Sequence, residues 1–193
     1  MNPLDRPLIL ASKSPRRSQL LQQAGFNFRV QSKEVAEDYP DDMPPEEVPV
    51  YLAQLKANAC RSFLRENEIL LSADSVVILD QQIFEKPKDK ADAQRILRAL
   101  SGKIHKVITG VCLLNDKHQT TFAGTSSVHF EPLSEAEIDY YIDTYQPYDK
   151  AGAYAIQEWI GLCKISRIEG TYANIMGLPV NLVYEELSRF PGA

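Results

Sequence analysis

The stretch Leu8-Ile9-Leu10-Ala11-Ser12-Lys13-Ser14-Pro15-Arg16-Arg17 decides how the rest of the chain is read. Its apolar first half predicts a short buried strand. Its second half predicts a helix start. Ser14 suits an N-cap, and Pro15 suits the first helical position, where a missing N–H costs nothing. Leu20, Leu21 and Ala24 then fall on the inner side of the helix, and Gly25 ends it. Arg16 and Arg17 do not fit this pattern. A helix N-terminus carries partial positive charge, so two guanidinium groups there repel it and each other. A polyanion resolves the conflict, because backbone N–H groups, the Ser12 and Ser14 hydroxyls and both arginines would converge on phosphate. Two solvated arginines at an ordinary helix start are the alternative.

The 193 residues suit one domain of two lobes over positions 1–193, with no linker long enough to split them. A charged fraction of 24% and a net charge of −5 disfavour general nucleic-acid binding, which needs a broad basic surface. A small anionic substrate then needs a local cationic cluster or a metal. No apolar run approaches the ~20 residues of a membrane span, and the N-terminus lacks a leader pattern. Cys60, Cys112 and Cys163 have no zinc-ligand or redox spacing and read as buried free thiols. A cytoplasmic protein is expected.

Further along, Phe26 to Gln31 reads as a strand and Glu37 to Glu47 as an acidic, proline-rich loop. Glu34 stands apart from that loop, just past a strand end. Pro44 to Glu66 contains the longest expected helix, with Val48, Leu52, Leu55, Ala59 and Phe63 as its inner stripe and Lys56 at the stripe's edge. Lys56 is then either a snorkelling side chain or an amine held at a site wall. Ile69 to Leu79 is a buried strand interrupted by Ser72-Ala73-Asp74-Ser75. A carboxylate in such a strand loses solvation and must be paired or bind a metal. Asp74 is therefore the best acid–base or metal-ligand candidate, unless it sits at a bulge bonded to backbone N–H groups. Asp89 caps a helix that Gly102 ends. His105 reads as structural, because no catalytic partner is evident. Ser134 and Glu137 form a capping box. Leu162 to Ile168 reads as a strand, and Pro179 opens a terminal helix with Val183, Tyr184 and Leu187 inside. There is no Walker-type or dinucleotide glycine motif, so a phosphate site has to be assembled from dispersed residues.

Ser-x-Ser-Pro-Arg-Arg, Leu52-Ala53-Gln54-Leu55-Lys56-Ala57, Ala73-Asp74-Ser75, Lys86-Pro87, the run Ser101 to Gly110, Asp149 to Gln157 and Glu169 to Pro179 occur in one order. Together they resemble the Maf family of nucleoside triphosphate pyrophosphatases, and the segment ending at Gln157 is similar to the branch acting on dTTP and UTP. The chain departs from that pattern at Ser75, Glu85 and Glu158-Trp159. The resemblance implies an α/β fold like that of inosine triphosphate pyrophosphatases: a long, curved, mixed sheet flanked by helices, in two lobes with a central cleft. It also implies hydrolysis of dTTP or UTP, or of modified pyrimidine nucleotides, to the monophosphate and pyrophosphate. Asp74, Lys56 and Lys86 would be catalytic, and Ser12, Ser14, Arg16 and Arg17 would bind phosphate. Arg16, Ser75 and Gln157 would bear on which base is accepted. Glu34 and Asp74 would hold Mg²⁺ or Mn²⁺, since such ions take oxygen ligands. A homodimer is implied as well. The competing expectation is a non-catalytic regulator of cell division that binds nucleotide or a protein.

Overall fold

A computed structural model describes residues 2–191. The strands are β1 (Leu8–Leu10), β2 (Phe28–Val30), β3 (Ile69–Leu79), β4 (Gln82–Phe84), β5 (Ile104–Leu114), β6 (Gln119–Phe130) and β7 (Ile165–Glu169). The helices are α1 (Pro15–Gln23), α2 (Val48–Cys60), α3 (Lys90–Leu100), α4 (Glu135–Tyr145), α5 (Trp159–Cys163), α6 (Tyr172–Met176) and α7 (Val180–Arg189). Among the described residues the strands form one seven-stranded mixed sheet in the order β2-β1-β3-β5-β6-β7, with β4 paired to β3. The expected mixed α/β fold is therefore present.

The chain divides into two compact units. The first comprises the described residues of Met1–Asp74, Thr109–Gly124 and Gly177–Ala193. In it β1 pairs in parallel with both β2 and β3, Leu10 lying opposite Val30 and Leu71. Parallel strands covered by helices read as continuous apolar runs, which is why β1 and the start of β3 show no alternation. The core here gathers Ile9, Ala53, Ala57, Cys60, Leu70 and Cys112. The second unit comprises Ser75–Ile108 and Thr125–Met176. Its β3 and β4 segments pair antiparallel, as do β6 and β7. Its core includes Val77, Phe84, Leu97, Phe130 and Tyr141.

Several local expectations change. The longest helix lies inside the expected span from Pro44 to Glu66, but it begins only at Val48 and gives way to a short 3-10 turn at Arg61–Phe63. Pro44, Pro45 and Pro49 explain the late start, since proline is tolerated only in the first turn. Its buried face is Val48, Leu52, Ala53, Ala57 and Cys60, whereas Leu55 and Ala59 are only half-buried. Small alanines let the helix lie close to the sheet, so they displace the bulkier stripe. Residues 162 and 163 belong to α5, so the following strand starts only at Ile165. Cys163 is exposed, and Tyr184 is 46% exposed rather than inside. Ser14 occupies the N-cap position of α1 but makes no side-chain capping bond. The Ser134–Glu137 capping box forms as read.

His105 is 1% exposed, and its Nε2 lies 2.7 Å from the Tyr154 hydroxyl. Its Nδ1 is buried without a hydrogen-bond partner among the described residues. Burial, with a smaller push from the charge of His129, lowers the imidazole from 6.5 to about 3. The unfolded chain therefore takes up a proton below pH 6.5 that the folded chain refuses until about pH 3. Stability contributed by neutral His105 is complete at neutral pH. It falls as pH drops through that window, by up to about 1.4 kcal/mol per pH unit. Urea midpoints measured between neutral and acid pH should fall more steeply for the wild type than for His105→Gln. Parallel profiles would remove His105 as a source of acid sensitivity.

Candidate active site

The first unit's site is set by a registry between one strand and one helix. Side chains two apart on a strand share a face, and residues three apart on a helix are neighbours. Ser72 on β3 donates its hydroxyl to the Ala53 carbonyl of α2 at 2.6 Å, in a buried contact. Two residues along the strand is Asp74, and three along the helix is Lys56. These two meet at 2.5 Å, Lys56 Nζ donating to Asp74 Oδ1. Asp74 is 8% exposed. The strand-borne carboxylate thus has the partner that its burial demands.

A second carboxylate joins the same ammonium. Glu37 Oε1 lies 2.8 Å from Lys56 Nζ. Glu37 comes from the acidic, proline-rich loop that the sequence predicts between Glu37 and Glu47. Its cue was present but ambiguous, as one acid among several in a proline-rich segment. Glu34 is exposed and paired with Lys13 at 2.6 Å, and that hydrogen bond lowers the Glu34 pKa.

The serine–arginine segment is organised around Ser12. Ser12 is 8% exposed, and its hydroxyl oxygen accepts the Ser14 N–H at 3.3 Å and an Arg17 N–H at 3.1 Å. Arg17 also donates from Nε to the Gly177 carbonyl at 2.8 Å. Burial lowers the Arg17 pKa, and the charge of Arg16 adds to that, while the charges of Asp74 and Glu37 oppose it. Arg17 thereby links the strand end after β1 to the last motif of the chain. Arg16 is half-buried in the first turn of α1. The first unit therefore gathers Ser12, Arg17, Glu37, Lys56 and Asp74 into one charged group, with alternating positive and negative members.

In the second unit, Ser75 follows Asp74 on β3 and is half-buried. Lys86 is exposed and lines a hollow with Glu85, Lys88, Asp92 and Arg95. Gln157 follows the buried run Gly152 to Ile156, and its Oε1 is buried with no hydrogen-bond partner among the described residues. The Gly152 N–H donates to the Glu85 carbonyl at 3.2 Å, so the Gln157 segment is tied to the Lys86 segment. No group of three or more His, Cys, Asp or Glu side chains among the described residues is arranged to hold a metal. A hard cation at Asp74 and Glu37 would then complete its oxygen shell with phosphate and water, as Mg²⁺ sites commonly do. No helix among the described residues is long and apolar enough to cross a membrane.

A family model described as Maf-like protein matches residues 7–190. A dTTP/UTP pyrophosphatase of Porphyromonas gingivalis is 49% identical over 188 residues, covering 95% of this chain and 94% of that protein. A protein of the same name from Bacteroides thetaiotaomicron is 46% identical over 183 residues, covering 94% of this chain and 95% of that one. Among solved structures, the Ham1 protein of Staphylococcus aureus superposes with a TM-score of 0.45 at 16% identity, over 64% of this chain and 71% of that chain, which is too loose to carry an argument.

Proposed function

The chain belongs to the Maf-like protein family, and from that premise we propose that it is a nucleoside triphosphate pyrophosphatase acting on dTTP and UTP. The observation that carries this reading is the Lys56–Asp74 pair, a carboxylate held at a buried strand position beside an ammonium and in the field of Arg17. Binding a polyanion gains nothing from a carboxylate there, whereas hydrolysis needs one.

In the proposed reaction, a water oxygen attacks the α-phosphorus and the bond to the β-phosphate breaks. Asp74 takes the proton that the water loses. The products are the nucleoside monophosphate and pyrophosphate. A triphosphate carries about four negative charges, so the barrier falls when cations oppose them. Arg16, Lys56 and Lys86 supply that charge directly. Arg17 supplies potential while bracing Ser12, and the Ser12 and Ser14 hydroxyls complete the phosphate contacts. A divalent cation, Mg²⁺ or Mn²⁺, supplies further neutralisation of phosphate oxygens when bound. Asp74 and Glu37 are the residues that would hold it, because they already flank one positive charge. Gln157 reads the base, its amide offering both a donor and an acceptor, and Ser75 and Arg16 are assigned to base selection as well.

Product analysis tests the reading. Purified protein with Mg²⁺ or Mn²⁺ should release monophosphate and pyrophosphate from dTTP or UTP. Diphosphate plus phosphate would mean a different bond and a different mechanism. Intact binding without any product would favour a regulatory role instead. The cation assignment has its own test. Glu37→Gln should weaken Mn²⁺ binding about tenfold, read by electron paramagnetic resonance, while Glu34→Gln leaves it within about twofold. The opposite ranking would transfer the ligand role to Glu34.

A further inference from the structure

Gln157 sits inside a staple whose two key members, Tyr141 and Glu158, lie outside the family motifs. Tyr141, on α4, is fully buried, and its ring stacks on Tyr145 with centroids 5.1 Å apart. Its hydroxyl reaches both sides of Gln157. It accepts the Ala155 N–H at 3.0 Å and donates its own proton to the Glu158 carboxylate. Glu158 is held a second time, its Oε1 lying 3.5 Å from Lys150 Nζ, and that lysine also contacts Asp149 at 2.8 Å. Lys150 is only 8% exposed. From the other side, α5 lies directly on the loop. A Cβ added at Gly161 would come 1.8 Å from the Ile156 carbonyl oxygen. Residues 155, 156 and 158 are thus fixed by α4, by α5 and by a buried ion pair. Between them the Gln157 Oε1 is left without a donor among the described residues.

A buried acceptor without a donor is unfavourable unless something binds it. We propose that Tyr141 and Glu158 are positioning residues that hold the Gln157 carboxamide for a base bearing an imide N–H, as uracil and thymine do and cytosine does not. The proposal rests on the reading of Gln157 as the base contact given above. It also accounts for Glu158 standing where the family pattern continues with glycine. The extra carboxylate is the acceptor that draws the Tyr141 hydroxyl across the loop. Neither residue touches the nucleotide; both act through the backbone on each side of Gln157.

The experiment compares UTP and CTP turnover in wild type, Tyr141→Phe, Glu158→Gln, Gln157→Ala and the Tyr141→Phe/Gln157→Ala double variant. Phenylalanine keeps the buried ring and removes only the hydroxyl. Tyr141→Phe should raise KM for UTP about tenfold and shrink the UTP-over-CTP preference by a similar factor, with kcat within about threefold. Glu158→Gln, which can still accept from the tyrosine, should keep most of the preference. In the Gln157→Ala background, adding Tyr141→Phe should change the preference no further, because the two act in series. Equal losses with and without Gln157 would show a merely structural tyrosine and overturn the proposal. An unchanged UTP-over-CTP preference in Tyr141→Phe would also overturn it. If Gln157→Ala itself leaves the preference intact, the base-contact reading fails first and the proposal fails with it. Circular dichroism and thermal midpoints of all variants separate folding losses from these outcomes.

Discussion

Asp74→Asn should lower kcat by about a thousandfold, the range expected when a general base is removed, while leaving nucleotide bound at least as tightly. Two opposite signs make this test sharp. Asparagine is nearly isosteric, and its side-chain oxygen can still accept from Lys56, so the 2.5 Å contact has a substitute. What is lost is the proton acceptor and one negative charge. A triphosphate approaching Arg16, Arg17 and Lys56 meets less repulsion without that charge, so affinity in the absence of metal should hold or improve. A residue that only braces the fold would lower stability and affinity together. Single-turnover kinetics and calorimetric binding on the same preparation decide between the two. Turnover close to wild type would remove Asp74 from its proposed role.

Gly110→Ala should be strongly damaging although it touches no charged residue. A Cβ at this position of β5 would lie 2.3 Å from the Pro49 carbonyl carbon and oxygen and from the Val50 nitrogen, where ordinary contact begins at 3.4 Å. These atoms are backbone in the first turn of α2, so no side chain can rotate away. The helix has to retreat by about 1 Å, and overpacking of this kind destabilises by about 3 kcal/mol. The same retreat carries Lys56, two turns further along, away from Asp74. A misplacement of about 1 Å in a catalytic group can lower the rate a hundredfold. Urea midpoints and kcat should therefore fall together. A wild-type midpoint would mean that α2 is not seated on Gly110 as described.

Some of this was legible in the chain. Glycine at position 110 was visible, but its reason was not, because the atoms it makes room for come from residue 49. Asp74 stood out because a carboxylate inside an apolar strand has few acceptable explanations. The segment Ser12 to Arg17 stood out because two arginines at a helix start oppose its dipole. These are conflicts between a residue and its immediate neighbours, which a linear reading detects. Cys163 and Tyr184 were misjudged as buried because local hydrophobicity does not say which side of a helix the sheet will cover.

The sequence by itself determined the α/β class, most of its strands and longer helices, the family pattern and the candidacy of Asp74, Lys56 and Gln157, because periodicity, caps and motifs are local properties. Only the tertiary structure decided which acid shares Lys56 with Asp74. Glu34 and Glu37 are both acidic residues after β2, and chain separation does not distinguish them. Folding places Glu37 at 2.8 Å from the ammonium and leaves Glu34 on Lys13. In the same way, only packing brings the Tyr141 hydroxyl from α4 to both sides of Gln157. Contacts of that kind depend on where separate elements come to rest, which hydrophobic burial and close packing settle across the whole unit.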